Sequence, residues 1–141
     1  MLEIAEERSL DGADARRIYD GLSAADPARL PRNYVPLVVT LRDAESRLVG
    51  GLLAATIWDW LVIDALWVDE HFRRLGHGQA LVRRAENAAY DRGCRRARLD
   101  TFDFQARDFY EGLGYVLYGR LDGFPSGHVQ LHMQKTLTRA S

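Results

Sequence analysis

Apolar residues form several short runs along the chain, and most of these runs predict β-strands. The run Trp60–Val68, interrupted only by Asp64, is rich in β-branched and aromatic side chains, which favours a buried central strand. The polar segment 43–46 lies between two apolar runs and predicts a β-hairpin. Strands are predicted at 2–5, 37–42, 47–57, 60–68, 96–101, 115–121 and 129–134.

Three other segments repeat apolar residues at helical spacing. The longest begins at Gly78 and ends at Gly93, a residue type that commonly follows the last turn of a helix. Asp11 can cap an N-terminal helix, in which Ile18 and Leu22 are expected to face inward. Helices are predicted at 13–22, 78–93 and 106–113.

The order of these elements predicts the fold class. The strands 60–68 and 96–101 are joined by a helix, so they are expected to be parallel neighbours. A chain of 141 residues is long enough for one domain with one core. We therefore expect a single α/β domain over residues 1–141, with a mixed sheet and helices on both faces.

The connection between the central strand and the following helix favours an anion. Gly76 and Gly78 leave the backbone bare, so a bulky group can approach the amide N–H groups. The helix N-terminus adds unpaired donors and a positive dipole end, and Arg73 and Arg74 add full charge. Together these features favour a phosphate or pyrophosphate ligand.

Two common phosphate motifs do not fit this loop. No Lys-Ser or Lys-Thr pair follows the glycines, and Leu81 stands where a dinucleotide fingerprint has glycine. With Arg73, Gly76 and Gly78 after the strand, the loop instead resembles the acyl-coenzyme A loop of the GNAT superfamily of N-acetyltransferases. The downstream residues Ala106, Phe109-Tyr110 and Gly114-Tyr115 extend this resemblance. It implies a mostly antiparallel sheet of six to seven strands, splayed at its centre.

The resemblance implies a site for acetyl-CoA. The backbone of the strand end would pair with the pantetheine arm, and the Val68 N–H would polarise the thioester oxygen. Asp103 stands where the family usually has Asn near the cofactor. The implied cofactor-binding residues are Leu66, Trp67, Val68, Arg73, Arg74, Leu75, Gly76, His77, Gly78, Gln79 and Asp103.

The resemblance also implies catalytic residues. Tyr110 matches the tyrosine that can protonate the departing thiolate, although a tyrosine that only packs fits the pattern too. The base for the amine is expected among carboxylates, Asp64 first and Asp100 second. Asp64 interrupts an apolar strand, where a buried carboxylate costs free energy unless it is paired or has a catalytic role. Asp64 and Asp100 could instead bind substrate or pair with arginines. Trp60 and His128 are expected to bind substrate.

Composition limits the partners. The net charge of −1 gives no basic field for nucleic acid, and no apolar run is long enough for a membrane span. Cys94 is the lone cysteine and is expected to pack, and the histidines have no metal-ligand spacing. We expect a cytoplasmic, acetyl-CoA-dependent enzyme that acetylates the primary amine of a small molecule by direct transfer in a ternary complex. The alternative is a non-catalytic acyl-CoA sensor. A homodimer is implied by the resemblance alone.

Overall fold

The computed structural model describes residues 1–26 and 33–139, and the chain divides into two compact units, Met1–Pro31 and Arg32–Ser141. The described part of the first unit contains helix α1 (Gly12–Ala25). Asp11 caps its N-terminus, because the Asp11 side chain accepts a hydrogen bond from the Asp14 amide at 2.7 Å. Two expectations fail here. Residues 1–11 form no strand, and Ile18 and Leu22 do not face inward but are 64% and 69% exposed. That all residues form one domain stays a prediction.

The second unit is built on a six-stranded sheet with the order β1-β2-β3-β4-β6-β5. Its strands are β1 (Val35–Arg42), β2 (Leu48–Ile57), β3 (Trp60–Val68), β4 (Arg96–Phe102), β5 (Val116–Asp122) and β6 (Val129–Thr136). Only the β3–β4 pair is parallel among the strand pairs described. The predicted mixed, mostly antiparallel sheet is confirmed.

Two helices of this unit prepare the site. Helix α2 (His77–Asp91) packs against β1, β2 and β3, and Gly93 ends it with a φ of +98°. Helix α3 (Arg107–Gly112) is short, and its Tyr110 joins the hydrophobic core. Within the described residues, no helix is long and apolar enough to cross a bilayer.

The sheet opens between its two central strands. β3 and β4 are paired from Trp60 opposite Arg96 to Ile63 opposite Leu99, and no further. Both strands continue beyond the last pair, because β3 runs to Val68 and β4 runs to Phe102. The predicted splay is therefore present, and backbone polar groups beyond Ile63 on β3 have no β4 partner.

A β-bulge lies at the point where the sheet opens. Ala54 of β2 pairs with Ile63, but the preceding Leu53 pairs with Ala65, which leaves Asp64 as an extra residue on β3. A bulge re-aims the side chain of the extra residue and is common beside functional sites. Here it turns Asp64 into solvent, so the expectation that Asp64 is buried within an apolar strand is wrong.

Candidate active site

Two adjoining cavities form one cleft along the opening in the sheet. The first, here called the loop cavity, measures about 580 Å³, and the second, the carboxylate cavity, about 740 Å³. Both are lined by Leu66, Arg73 and Ala106, so they adjoin at these residues. The loop cavity is lined in addition by Trp67, Val68, Phe72, Arg74, Gly76, His77, Gly78, Gln79 and Phe109. The carboxylate cavity adds Ile63, Asp64, Ala65, Leu99, Asp100, Thr101, Phe104, Gln105 and Tyr110.

The loop before α2 has the backbone geometry of an anion site. Gly76 is the N-cap residue of α2, has a φ of +84°, and caps the helix with no side-chain hydrogen bond. The first amides of α2 are consequently available to a ligand in the loop cavity. Arg74 also adopts a left-handed φ, +64°, which tightens the turn.

Gly78 has no left-handed φ and lies against an aromatic ring. A Cβ at this position would lie 3.4 Å from Cζ of Phe109, in contact with the ring that walls the loop cavity. Any larger side chain would press on that ring or enter the cavity. Of the predicted cofactor residues, Leu75 is the one in the loop that lines neither cavity, and it is 68% exposed.

The end of β3 presents a free backbone edge to the cleft. The Asp69 amide donates to the carbonyl of Val49 on the β2 side at 2.8 Å. Because antiparallel hydrogen bonds alternate along a strand, the N–H and C=O groups of Val68 and Leu66 point away from β2. They face the gap left by β4, where Arg73 Nε donates to the Val68 carbonyl at 2.7 Å. An extended, amide-bearing ligand could pair with this edge as a strand does.

Tyr110 lies where the carboxylate cavity meets the core. Its side chain is only 8% exposed, and burial raises the pKa of its phenol. In the described part of the chain no hydrogen bond engages its hydroxyl, although its ring packs in the core cluster. A raised pKa keeps the phenol protonated at neutral pH, as a proton donor requires.

The two predicted base carboxylates have different surroundings. Asp64 is exposed in the carboxylate cavity, and no hydrogen bond or ion pair among the described residues engages it. Asp100 is held through Oδ1, which accepts from a guanidinium nitrogen of Arg98 at 2.7 Å and lies 2.6 Å from Nδ1 of His132. The other oxygen, Oδ2, has no partner within the described residues. Asp64 is the carboxylate whose charge is uncompensated.

Sequence reasoning missed the residues that hold Asp100. Arg98 lies two positions earlier on β4, and its Nε donates to the hydroxyl of Tyr118 on β5 at 3.1 Å. His132 is directly opposite Asp100 in the β4–β6 register. The sequence predicted the strand that carries His132, but no local signal identified its partner on β4.

The predicted residues Asp103 and His128 contact each other rather than the cofactor loop. His128 Nδ1 lies 3.2 Å from Oδ1 of Asp103, and Asp103 lines neither cavity. The His128 ring lies edge-on to Phe104, with ring centroids 4.8 Å apart. Phe102 stacks on Phe104 at 5.2 Å and on Phe124 at 6.5 Å. These four rings, Phe102, Phe104, Phe124 and His128, are called the aromatic array below.

The tryptophans do not share one pocket. Trp67 lines the loop cavity, whereas Trp58 and Trp60 line a separate cavity of about 490 Å³ with Arg98 and Tyr118. The structure therefore separates the predicted substrate residue Trp60 from the carboxylate cavity, although Arg98 contributes to Trp60's cavity and also holds Asp100.

A buried polar network connects helix α2 with Tyr115 and with strand β6. Tyr115 Oη donates to Glu86 on α2 at 2.7 Å, and Lys135 on β6 donates to the same carboxylate at 3.0 Å. Cys94 is buried nearby in the core cluster, and burial raises the pKa of its thiol, so it packs as expected. Within the described residues, no group of three or more His, Cys, Asp or Glu side chains could hold a metal ion.

This arrangement can be compared with known proteins. The model of the acetyltransferase (GNAT) family matches residues 4–115. The chain is a member of the GNAT family. The donor of this family is acetyl-CoA, and the loop cavity with its helix N-terminus and free strand edge lies where the sequence placed that cofactor.

Individual GNAT relatives resemble the chain to different extents. A blasticidin-S acetyltransferase from Streptomyces morookaense is 42% identical over 81 residues, which cover 57% of this chain and 60% of that protein. An acetyltransferase from Agrobacterium fabrum is 33% identical over 129 residues, 89% of this chain and 94% of that protein. The crystal structure of an acetyltransferase from Bacillus cereus superimposes with a TM-score of 0.81 at 28% identity, covering 94% of this chain and 98% of that one. The chain thus spans 60% of the length of the first relative.

Proposed function

We propose that this protein transfers the acetyl group of acetyl-CoA directly to the primary amine of a small molecule. The observation that carries the proposal is the cleft formed by the two adjoining cavities. It joins an anion-binding helix N-terminus to a cavity that holds a free carboxylate, Asp64, and an unbonded phenol, Tyr110. An acetyl donor held along the cleft would place its thioester near both groups.

Each part of the donor finds matching groups in the loop cavity. The pyrophosphate would accept from the first amides of α2 and pair with Arg74. The amide groups of the pantetheine arm would pair with the free edge at Leu66 and Val68, in the gap where β4 has separated. The Val68 N–H could then donate to the thioester oxygen and stabilise charge that develops on it.

The transfer step needs a neutral amine and a proton for the leaving group. The amine nitrogen attacks the thioester carbonyl, so an N–C bond forms and the C–S bond breaks. One proton of the amine passes to a carboxylate, directly or through water, and the thiolate takes a proton from Tyr110. The products are an amide and coenzyme A, and no covalent enzyme intermediate is required.

Asp64 is the better candidate for the base. An uncompensated carboxylate attracts an ammonium group and can accept its proton, and no other group competes for Asp64 within the described residues. Asp100 shares its charge with Arg98 and His132, which suits a residue that orients the amine through its open Oδ2. Since Asp100 lines the same cavity, it remains the second candidate.

A small-molecule acceptor is supported by the relatives. The 42% identical relative is named for the acetylation of blasticidin S. The net charge of −1 offers no general attraction for nucleic acid. The proposed acceptor is therefore a small amine.

Binding and turnover can be tested separately. Calorimetry should show acetyl-CoA binding to the wild type and none to a Gly76→Asp, Gly78→Asp double variant, because carboxylates would replace the open amides beside the pyrophosphate. In a thiol-release assay with a panel of amines, Tyr110→Phe should lower kcat by about 10²-fold or more and leave the acetyl-CoA affinity unchanged. The matched control is Cys94→Ser, which should keep full activity because the buried thiol has no role.

Two outcomes would contradict the proposal. Parallel initial-velocity lines, with activity lost in Cys94→Ser, would indicate a covalent intermediate in place of direct transfer. Acetyl-CoA binding without thiol release for any amine, and with Tyr110→Phe and Asp64→Asn indistinguishable from wild type, would identify an acyl-CoA sensor.

A further inference from the structure

The aromatic array is built differently from a packed core. Phe104 and Phe124 are 55% and 52% exposed, although each is stacked within an ordered row of rings. Large aromatic side chains normally bury most of their surface. Here Phe102 lies between the other two with interplanar angles of 15° and 19°, and the outer rings present their surface to solvent. The three phenyl rings are therefore stacked on one another, and the two outer rings remain exposed to solvent.

The array meets the free carboxylates at one cavity. Phe104 lines the carboxylate cavity together with Asp64 and Asp100. Asp64 is unpaired, and Asp100 keeps Oδ2 open. The only cationic side chain among the described residues lining this cavity is Arg73, whose Nε is already bonded to the Val68 carbonyl. The cavity therefore combines an exposed aromatic side chain, Phe104, with one carboxylate, Asp64, that has no partner within the described residues.

This combination matches one class of acceptor. A ligand ring packed against the exposed part of Phe104 gains aromatic and apolar contact, and aromatic side chains also attract a nearby cation. We propose that the acceptor carries a planar aromatic or heteroaromatic ring beside its primary amine, with the ring on Phe104 and the ammonium group at Asp64. The proposal rests on the acetyl transfer proposed above, whose substrate class it names.

Matched pairs of amines test the ring requirement. Benzylamine and phenethylamine each have a saturated counterpart, cyclohexylmethylamine and cyclohexylethylamine, with the same ammonium group and linker but no planar π face. Thiol release by the wild type should give a KM about tenfold lower for the better aromatic amine than for its counterpart. The same preference should appear in equilibrium binding of the amines to protein saturated with coenzyme A.

Two leucine variants locate the effect. Phe104→Leu keeps an apolar side chain at an exposed position and should abolish the aromatic preference in KM, while acetyl-CoA affinity stays near wild type because Phe104 does not line the loop cavity. Trp58→Leu, in the separate tryptophan cavity, should keep the preference. Thermal midpoints of both variants confirm that they fold. A loss of preference in Trp58→Leu with none in Phe104→Leu would overturn the assignment.

The remaining outcomes separate this inference from the proposed reaction. Equal KM and Kd values for aromatic and saturated amines that are all acetylated would overturn the ring site and leave the acetyl transfer standing. Aromatic amines that bind in a Phe104-dependent manner but yield no N-acetyl product would support the ring site and contradict the acetyl transfer. No measurable binding of any aromatic amine to the coenzyme A-saturated protein would overturn the inference, whatever the activity.

Discussion

Gly76 and Gly78 have the spacing of the acyl-CoA loop that the sequence resembles, but a side chain at each position meets different surroundings. Gly76 has a φ of +84° and nothing within 4 Å of where a Cβ would stand, so alanine there meets strain and no clash. Gly78 has no left-handed φ, and a Cβ would lie 3.4 Å from Phe109 Cζ, an ordinary contact. The two alanine variants should therefore fail in different assays.

The expected magnitudes follow from these geometries. Alanine in the left-handed region costs about 1 kcal/mol, so Gly76→Ala should lower the unfolding midpoint by about 4 °C. Gly78→Ala gains helix propensity of up to about 1 kcal/mol, which offsets the closer packing on Phe109, so its stability should equal or exceed that of wild type. Its methyl group enters the loop cavity, and loss of one charge-assisted hydrogen bond would weaken acetyl-CoA binding by about tenfold.

Urea unfolding and calorimetric titration of the same preparations would check both effects. Gly12→Ala is the matched control, because a Cβ there meets nothing within 4 Å and the residue begins α1. It should change neither the cofactor affinity nor, beyond a few tenths of a kcal/mol, the stability. The reasoning is refuted if Gly76→Ala is as stable as wild type, or if Gly78→Ala binds acetyl-CoA normally.

Two further predictions concern stability. Glu86→Ala leaves the Tyr115 hydroxyl and the Lys135 ammonium without their buried partner. Urea unfolding should show that it lowers the free energy of unfolding by about 3 kcal/mol. Glu86→Gln keeps an acceptor and should lower it by less. Burial raises the pKa values of Tyr110 and Tyr115. Above pH about 10, the unfolded chain therefore releases protons that the folded chain retains. The free energy of unfolding should fall as the pH rises above that value, and this contribution is absent below it. Thermal midpoints measured against pH should show this decline, and Tyr115→Phe should make it shallower; an unchanged slope would show that Tyr115 ionises as it does in the unfolded chain.

Much of the second unit could be predicted because the signals are local. The apolar run of β3, the two loop glycines and the repeat of α2 each lie within a few residues and act through backbone angles and side-chain period. The same is true of the hairpin, where Asp43 Oδ1 accepts from the amides of Glu45 and Arg47. In contrast, α1 carries a helical repeat that predicted a buried face, and none of its residues is buried. The spacing of apolar residues identifies a helix but does not determine whether its apolar face is buried.

The sequence by itself determined the strand, loop and helix that form the loop cavity, and with them the phosphate chemistry of the site. Only the tertiary structure decided what surrounds the acceptor. The bulge that exposes Asp64 depends on how β2 registers with β3, and the pairing of Asp100 with His132 depends on the register of β4 with β6. Likewise, Phe104 and Phe124 lie on separate loops, and each stacks on Phe102. Register and loop packing are properties of distant segments in contact, so no local pattern of residues encodes them.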